Sequence, residues 1–187
     1  MHYQCSLVKE ALLRVFYFLA GSKALFIEYI SLNRRIRRDN KMDKNYDEYI
    51  NNAIEWGKGH LNSKEYCFIC LAFVEDALER SNDIEIFGGD FAKESADLYE
   101  ANKQRGIPPK GTFVFYDCIG VINGERKNWG HVGLSIGNGE VIHAWDKVRI
   151  NNYLDVEKLT AAPGWEKPKF IGWVSLERIM VGFQRKI

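Results

Sequence analysis

Three residues in this chain have the types and order needed for nucleophilic acyl chemistry. Cys70 opens the run Cys-Leu-Ala-Phe-Val. His131 follows 61 residues later in Gly-His-Val-Gly-Leu, and His143 lies 12 further on in Val-Ile-His-Ala-Trp. A thiol attacks a carbonyl as its thiolate, a neighbouring imidazole takes the proton, and a third polar group fixes the tautomer of that imidazole. Cys70, His131 and His143 can fill those roles in that order, with no metal or cofactor required. Two other uses of the same residues have to be weighed. Cys67 and Cys70 form a Cys-x-x-Cys pair, as in thiol redox sites, although such pairs sit in βαβ units and have no histidine hairpin behind them. Cys67, Cys70, His131 and His143 also suit zinc by type, although the histidine spacing is not that of a finger. The remaining reading of Cys67 is a packed thiol near the site, able to form a reversible disulfide with Cys70 on oxidation. Cys118 reads as structural.

The elements that must position these residues follow from periodicity. Cys70, Phe73, Val74, Ala77 and Leu78 fall on one face of a helix, with Glu75, Asp76, Glu79 and Arg80 on the other. The thiol therefore stands near a helix N-terminus, where free N–H groups and the dipole lower a thiol's pKa and offer donors to an oxyanion. A preceding helix is expected over Tyr46–Trp56, ended by Gly57 and Gly59, and a later one over Ala92–Lys103. From Thr112 the period changes, and Thr112–Tyr116, His131–Ile136, Val141–Trp145 and Lys169–Val174 read as strands, with Asn123-Gly124 and Gly137-Asn138-Gly139 as turns. Helices followed by an antiparallel meander give an α+β pattern.

The two histidines share a sheet face only if the hairpin between them has the right parity. A two-residue Asn138-Gly139 loop would pair Gly137 with Glu140 and put them on opposite faces. A three-residue Gly137-Asn138-Gly139 loop would bring Gly133 opposite His143 and place His131 diagonal to His143. The catalytic reading predicts the longer loop. The face itself is open, since His131, Gly133 and Ser135 alternate with Val132, Leu134 and Ile136.

Composition bounds the partners. At 187 residues, 46% hydrophobic and 27% charged, the chain is globular in character. Residues 1–41 hold eight Lys/Arg against three acids, and residues 42–187 hold 18 against 22. The mildly acidic larger part argues against nucleic acid as a partner. Four cysteines, Cys5, Cys67, Cys70 and Cys118, are too few for a disulfide scaffold. Residues 1–41 read as an N-terminal helical and basic extension, and 42–187 as the functional domain, with Met42 a candidate natural start. The apolar stretch Leu7–Leu32 is broken by Lys9, Glu10, Arg14, Lys23 and Glu28, so neither a membrane span nor a clear secretory signal is expected. The expected location is then cytoplasmic, or released or phage-delivered.

Taken together, Cys70-Leu-Ala-Phe-Val, Pro109-Lys-Gly-Thr-Phe-Val-Phe-Tyr and Gly130-His-Val-Gly-Leu-Ser-Ile-Gly-Asn-Gly-Glu-Val-Ile-His-Ala resemble the NlpC-type papain-like cysteine peptidases, bacterial and phage cell-wall endopeptidases. The resemblance covers roughly residues 45–175. It implies a papain-like fold with the nucleophile helix packed on an antiparallel sheet. It also implies Cys70 as nucleophile, His131 as base, His143 as orienting residue, and peptidoglycan stem peptides as substrate, often cut between D-glutamate and a diamino acid. The nucleophile segment reads Ile69-Cys70-Leu71-Ala72 where the family usually has Asp-Cys-Ser-Gly, and Tyr66 is the candidate for the tyrosine that members place beside the thiol. Residues 87–110 are similar to those of the related CHAP-type amidases, which leaves the cleaved bond open. A catalytically inactive peptidoglycan-binding module on the same scaffold is the alternative from another functional class. Trp129, Trp145, Trp165 and Trp173 are candidates for cleft walls, or else for core packing.

Overall fold

The structure, a computed structural model, describes residues 46–186. The extension over residues 1–41 and the proposed start at Met42 lie outside the described residues, as does Cys5.

Helix α1 covers residues 46–59 and buries Tyr49, Ala53 and Ile54. It continues through both Gly57 and Gly59, where the sequence suggested an end. A Cβ at Gly57 would lie 3.4 Å from Ile142 Cδ1 and 3.5 Å from Phe73 Cζ. Gly57 thus lies at ordinary contact distance from the sheet and from Phe73, inside the helix rather than at its end.

Helix α2, Cys70–Glu79, buries Leu71, Phe73, Val74, Ala77 and Leu78, the face that the spacing defined. Phe73, Val74 and Ala77 are wholly excluded from solvent. Burial of each large apolar side chain of this kind is worth about 1.5–3 kcal/mol. The short strand β1, Ile84–Glu85, leads to helix α3, Ala92–Leu98, and a 3₁₀ turn, Ala101–Lys103. The single helix expected over Ala92–Lys103 is thus broken, with Glu100 left-handed at φ 59°. The break lets the chain settle on the sheet, where Trp173 N–H donates to the Gln104 carbonyl at 3.1 Å.

The main sheet has five antiparallel strands. In chain order they are β2 (Phe113–Asp117), β5 (His131–Gly137), β6 (Glu140–Ala144), β7 (Val148–Asn152) and β8 (Lys169–Val174), and their order in space is β7-β6-β5-β2-β8. Between β2 and β5 runs a separate hairpin of β3 (Ile119–Ile122) and β4 (Glu125–Asn128). A 3₁₀ turn, Asp155–Lys158, precedes β8, and helix α4 (Leu176–Ile179) follows it. Strand β9 (Gln184–Arg185) closes the chain by pairing with β1. Helix α2 packs across β5 and β6, and this contact brings the thiol to the histidine strands. The architecture is the expected α+β arrangement, with the Cys70 helix on an antiparallel sheet.

The β5–β6 hairpin corrects one expectation and satisfies the other. Its loop is the two-residue Asn138-Gly139 closed by Gly137 and Glu140, with φ of 55° and 77° at the two loop positions. That is the type I′ pattern suited to strand twist. A bulge between Ser135 and Gly137 absorbs one residue, so Ser135 pairs with Val141 and Leu134 with Ile142. The body of the hairpin therefore has the register that a three-residue loop would have produced, and the two histidines share a face.

Candidate active site

Cys70 is the first residue of α2. Its N-cap, Ile69, provides no side-chain hydrogen bond, and the first turn holds no acidic residue. The helix-start amides are thus without a side-chain competitor. Two residues upstream Phe68 holds φ at 66°, rare for a bulky side chain, and its ring is 72% exposed. That tight turn, with Ile69 N–H donating to the Tyr66 carbonyl, sets the direction in which α2 begins.

The thiol is half-buried. Burial pushes its pKa up to about 11, against the pull of backbone amides from Val132, Leu71 and Cys70 itself. The lowering expected from the helix terminus is therefore outweighed. Burial removes the water that a thiolate needs.

His131 and His143 are buried, at 2% and 0% exposure. His131 Nε2 lies 2.9 Å from His143 Nδ1, and His143 Nε2 lies 3.2 Å from Asn151 Oδ1. These contacts define a protonation pattern. Asn151 Oδ1 can only accept, so His143 Nε2 carries a proton and donates it. His143 Nδ1 is then an acceptor, and His131 donates to it from Nε2. His131 Nδ1 is left with a free lone pair. Burial holds His131 well below its ordinary value, and a charge on His143 would lower it further. Burial also brings His143 down to about 4, only partly opposed by the Asn151 hydrogen bond. Both rings are neutral at pH 7.

The register of β7 supplies Asn151. His143 pairs with Arg149 and Val141 with Asn151, so Asn151 is the diagonal neighbour of His143 on one face. Trp145 stands edge-on to the His131 ring at 5.1 Å, which limits how far that ring can turn. Gly133 completes the fit. A Cβ there would lie 2.9 Å from the His143 Cβ and 2.3 Å from Val141 Cγ1, so only glycine lets β6 come this close.

Cys70 and His131 line one cleft of about 690 Å³. Trp129, Trp145 and Trp165 form much of its wall, whereas Trp173 does not line it. The Trp165 ring lies against Gly120, where a Cβ would come within 2.0 Å of Cδ2. Arg126 fixes the segment that carries Trp165, bonding the Gly164 carbonyl at 3.2 Å and Glu166 at 2.6 Å. Lys93 N–H donates to the Trp129 carbonyl at 3.0 Å, tying α3 to the residues just before His131.

Other candidates fall outside the cleft or change character. Tyr66 is buried, donates its hydroxyl to Asp76 at 2.7 Å and does not line the cleft. Cys67 is a free, half-buried thiol that does not line the cleft. Cys118 is buried but lines the cleft, with burial raising its pKa to about 12 and the charge of Cys70 next in effect. Among the described residues no group of three or more His, Cys, Asp or Glu is placed to hold a metal ion. Two site residues were missed from sequence. Asn151 lies in a strand, Val-Arg-Ile-Asn-Asn, whose polar composition hides it. Glu75 had been placed on the solvent face of α2, yet it lines the cleft.

A thiol, a neutral imidazole with one free nitrogen, and helix-start amides in one cleft can together support acyl transfer. Comparison with curated proteins gives no match. A family model described as "NlpC/P60 family" matches residues 54–167, well over half of the chain.

Proposed function

The chain belongs to the NlpC/P60 family, a papain-like family of cysteine peptidases and amidases that act on peptidoglycan, and on that premise we propose that it hydrolyses an amide bond of peptidoglycan stem peptides through Cys70, His131 and His143. The observation that carries this reading is the Asn151–His143–His131 relay, which ends on a free ring nitrogen in the cleft that Cys70 lines.

Cys70 Sγ attacks the scissile carbonyl as His131 Nδ1 takes the thiol proton. With the thiol raised and the imidazole lowered, proton transfer accompanies attack; a standing thiolate–imidazolium pair is not stored in the resting enzyme. Amides at the start of α2 receive the oxyanion. The imidazolium returns its proton to the leaving amine, and a thioester to Cys70 remains. Water, deprotonated by the same nitrogen, then releases the acid. His143 and Asn151 keep His131 in the one tautomer that leaves Nδ1 free. An endopeptidase and a CHAP-type amidase share these steps and differ only in which amide is cut.

The test is digestion of purified peptidoglycan by wild type and by Cys70→Ala, with fragments read by mass spectrometry. New amino termini with wild type alone support the reading. Identical fragment patterns from the two proteins sink it and favour a peptidoglycan-binding module without catalysis.

A further inference from the structure

The cleft has carboxylates in its lining and, among the described residues, no Lys or Arg. Glu75, Asp90 and Asp146 all line it. Cations beside its walls already have partners. Lys127 lies over the rings of Phe91 and Trp129, at 4.6 and 4.0 Å, and pairs with Glu125 at 3.4 Å. Lys93 pairs with Asp97, and Arg149 pairs with Asp146 at 2.9 Å. Glu75 and Asp90 remain, with no ion pair for either among the described residues. Burial pushes Glu75 up to about 7, so near neutrality it is part carboxylate and part acid, and in neither form a cation. The residues just before the thiol are apolar and exposed, Phe68 by 72% and Ile69 by 50%.

An anionic substrate group would meet here the carboxylates of Glu75 and Asp90 and no basic side chain. Like charge disfavours a carboxylate placed there. A carboxamide differs on both counts, since it is neutral and its two N–H donors suit carboxylate acceptors.

We propose that the cleft selects acyl donors without a free carboxylate beside the scissile bond, so that a stem peptide is taken with its D-glutamyl α-carboxyl masked as the carboxamide. This rests on the reading of Cys70 as the nucleophile for a stem-peptide amide. In a γ-linked D-glutamyl residue the α-carboxyl is a few bonds from the carbonyl under attack, so it enters the cleft together with that carbonyl. Glu75 and Asp90 are then specificity-determining residues.

Binding and turnover separate this proposal from the reading beneath it. Two synthetic peptides, L-Ala-γ-D-Glu-L-Lys and its D-isoglutaminyl counterpart, are titrated by calorimetry into the full-length Cys70→Ala protein. The amidated peptide is expected to bind at least about tenfold tighter. The ratio should fall toward unity when Glu75→Gln and Asp90→Asn are added. Equal affinity, tighter binding of the acid, no binding of either peptide at millimolar concentration, or a ratio untouched by the two substitutions would each overturn the proposal. Wild type is then given the peptide that binds tighter. Selective binding without Cys70-dependent cleavage would remove the hydrolase reading while the selectivity stands.

Discussion

His131 and His143 meet edge to face, with ring centroids 5.0 Å apart, planes at 80° and one nitrogen of each ring 2.9 Å from the other. Both rings are buried and share a hydrogen bond, so each depends on the other for its proton pattern. The pair acts as a unit whose state is set by Asn151.

Removing the far end of this relay should therefore impair chemistry more than binding. His143→Ala is expected to lower kcat by about 10²–10⁴, with little change in KM. Asn151→Ala should cost roughly tenfold, because His143 can then adopt the tautomer that competes with His131 for a proton. Steady-state kinetics on a stem peptide, with thermal melts as a folding control, check both. A rise in KM at constant kcat would show that these residues bind substrate instead of orienting the base.

The buried thiol predicts an unusual reactivity profile. Alkylation of Cys70 by iodoacetamide should rise with pH through the alkaline range toward about 11, where the thiol ionises. Mass spectrometry of the labelled peptide over a pH series provides the curve. A plateau between pH 6 and 9 would instead reveal a preformed thiolate–imidazolium pair.

Stability should respond to acid through two opposed effects. His143 titrates near 4 in the folded protein and near 6.5 unfolded, so the unfolded chain binds more protons between those values. Its contribution is complete above pH 6.5 and is lost as pH falls toward 4, amounting to about 3 kcal/mol. His131 acts in the same direction. Glu75 acts in the opposite one, since its folded value near 7 lies above the unfolded value and protonation on acidification favours the folded state. Urea unfolding between pH 7 and 4.5 should show a steeper acid loss for Glu75→Gln than for wild type. Parallel curves would show that Glu75 titrates normally.

Gly133→Ala tests the close approach of β6. The added methyl would overlap Val141 and crowd the His143 Cβ. Overpacking of this kind costs about 1–3 kcal/mol, and here it also displaces an imidazole. Denaturant melts should show that loss, and activity should fall further than the melt alone explains. A variant with wild-type stability and turnover would show that the strand relaxes freely.

Much of this arrangement is legible in the sequence because it rests on strong periodicity. The α2 stripe from Phe73 to Leu78 and the β5 alternation from His131 to Ile136 each fix a face. The hairpin loop was misjudged because parity counting assumes an uninterrupted ladder, and the bulge at Ser135–Gly137 supplies the extra residue inside the strand. Glu75 looked solvated because helical periodicity locates a residue on its own helix and says nothing of the loop opposite; Gly88 lies there, where a Cβ would be 3.2 Å from Glu75 Oε1. The thiol pKa was misjudged in sign because a local effect, the helix terminus, was weighed without the desolvation that only tertiary packing produces. Asn151 was out of reach because the polar strand β7 owes its conformation to its neighbour β6 rather than to its own residues.

The hairpin of β3 and β4 stands apart from the five-stranded sheet, yet its Gly120 carries the Trp165 wall and its Arg126 secures the segment behind it. The relay, by contrast, is contained in three adjoining strands, β5, β6 and β7. The Trp165 wall and the histidine relay are thus written in different stretches of chain. Substitutions in the hairpin and in residues 160–166 can reshape that wall while the three strands that hold the relay are inherited unaltered.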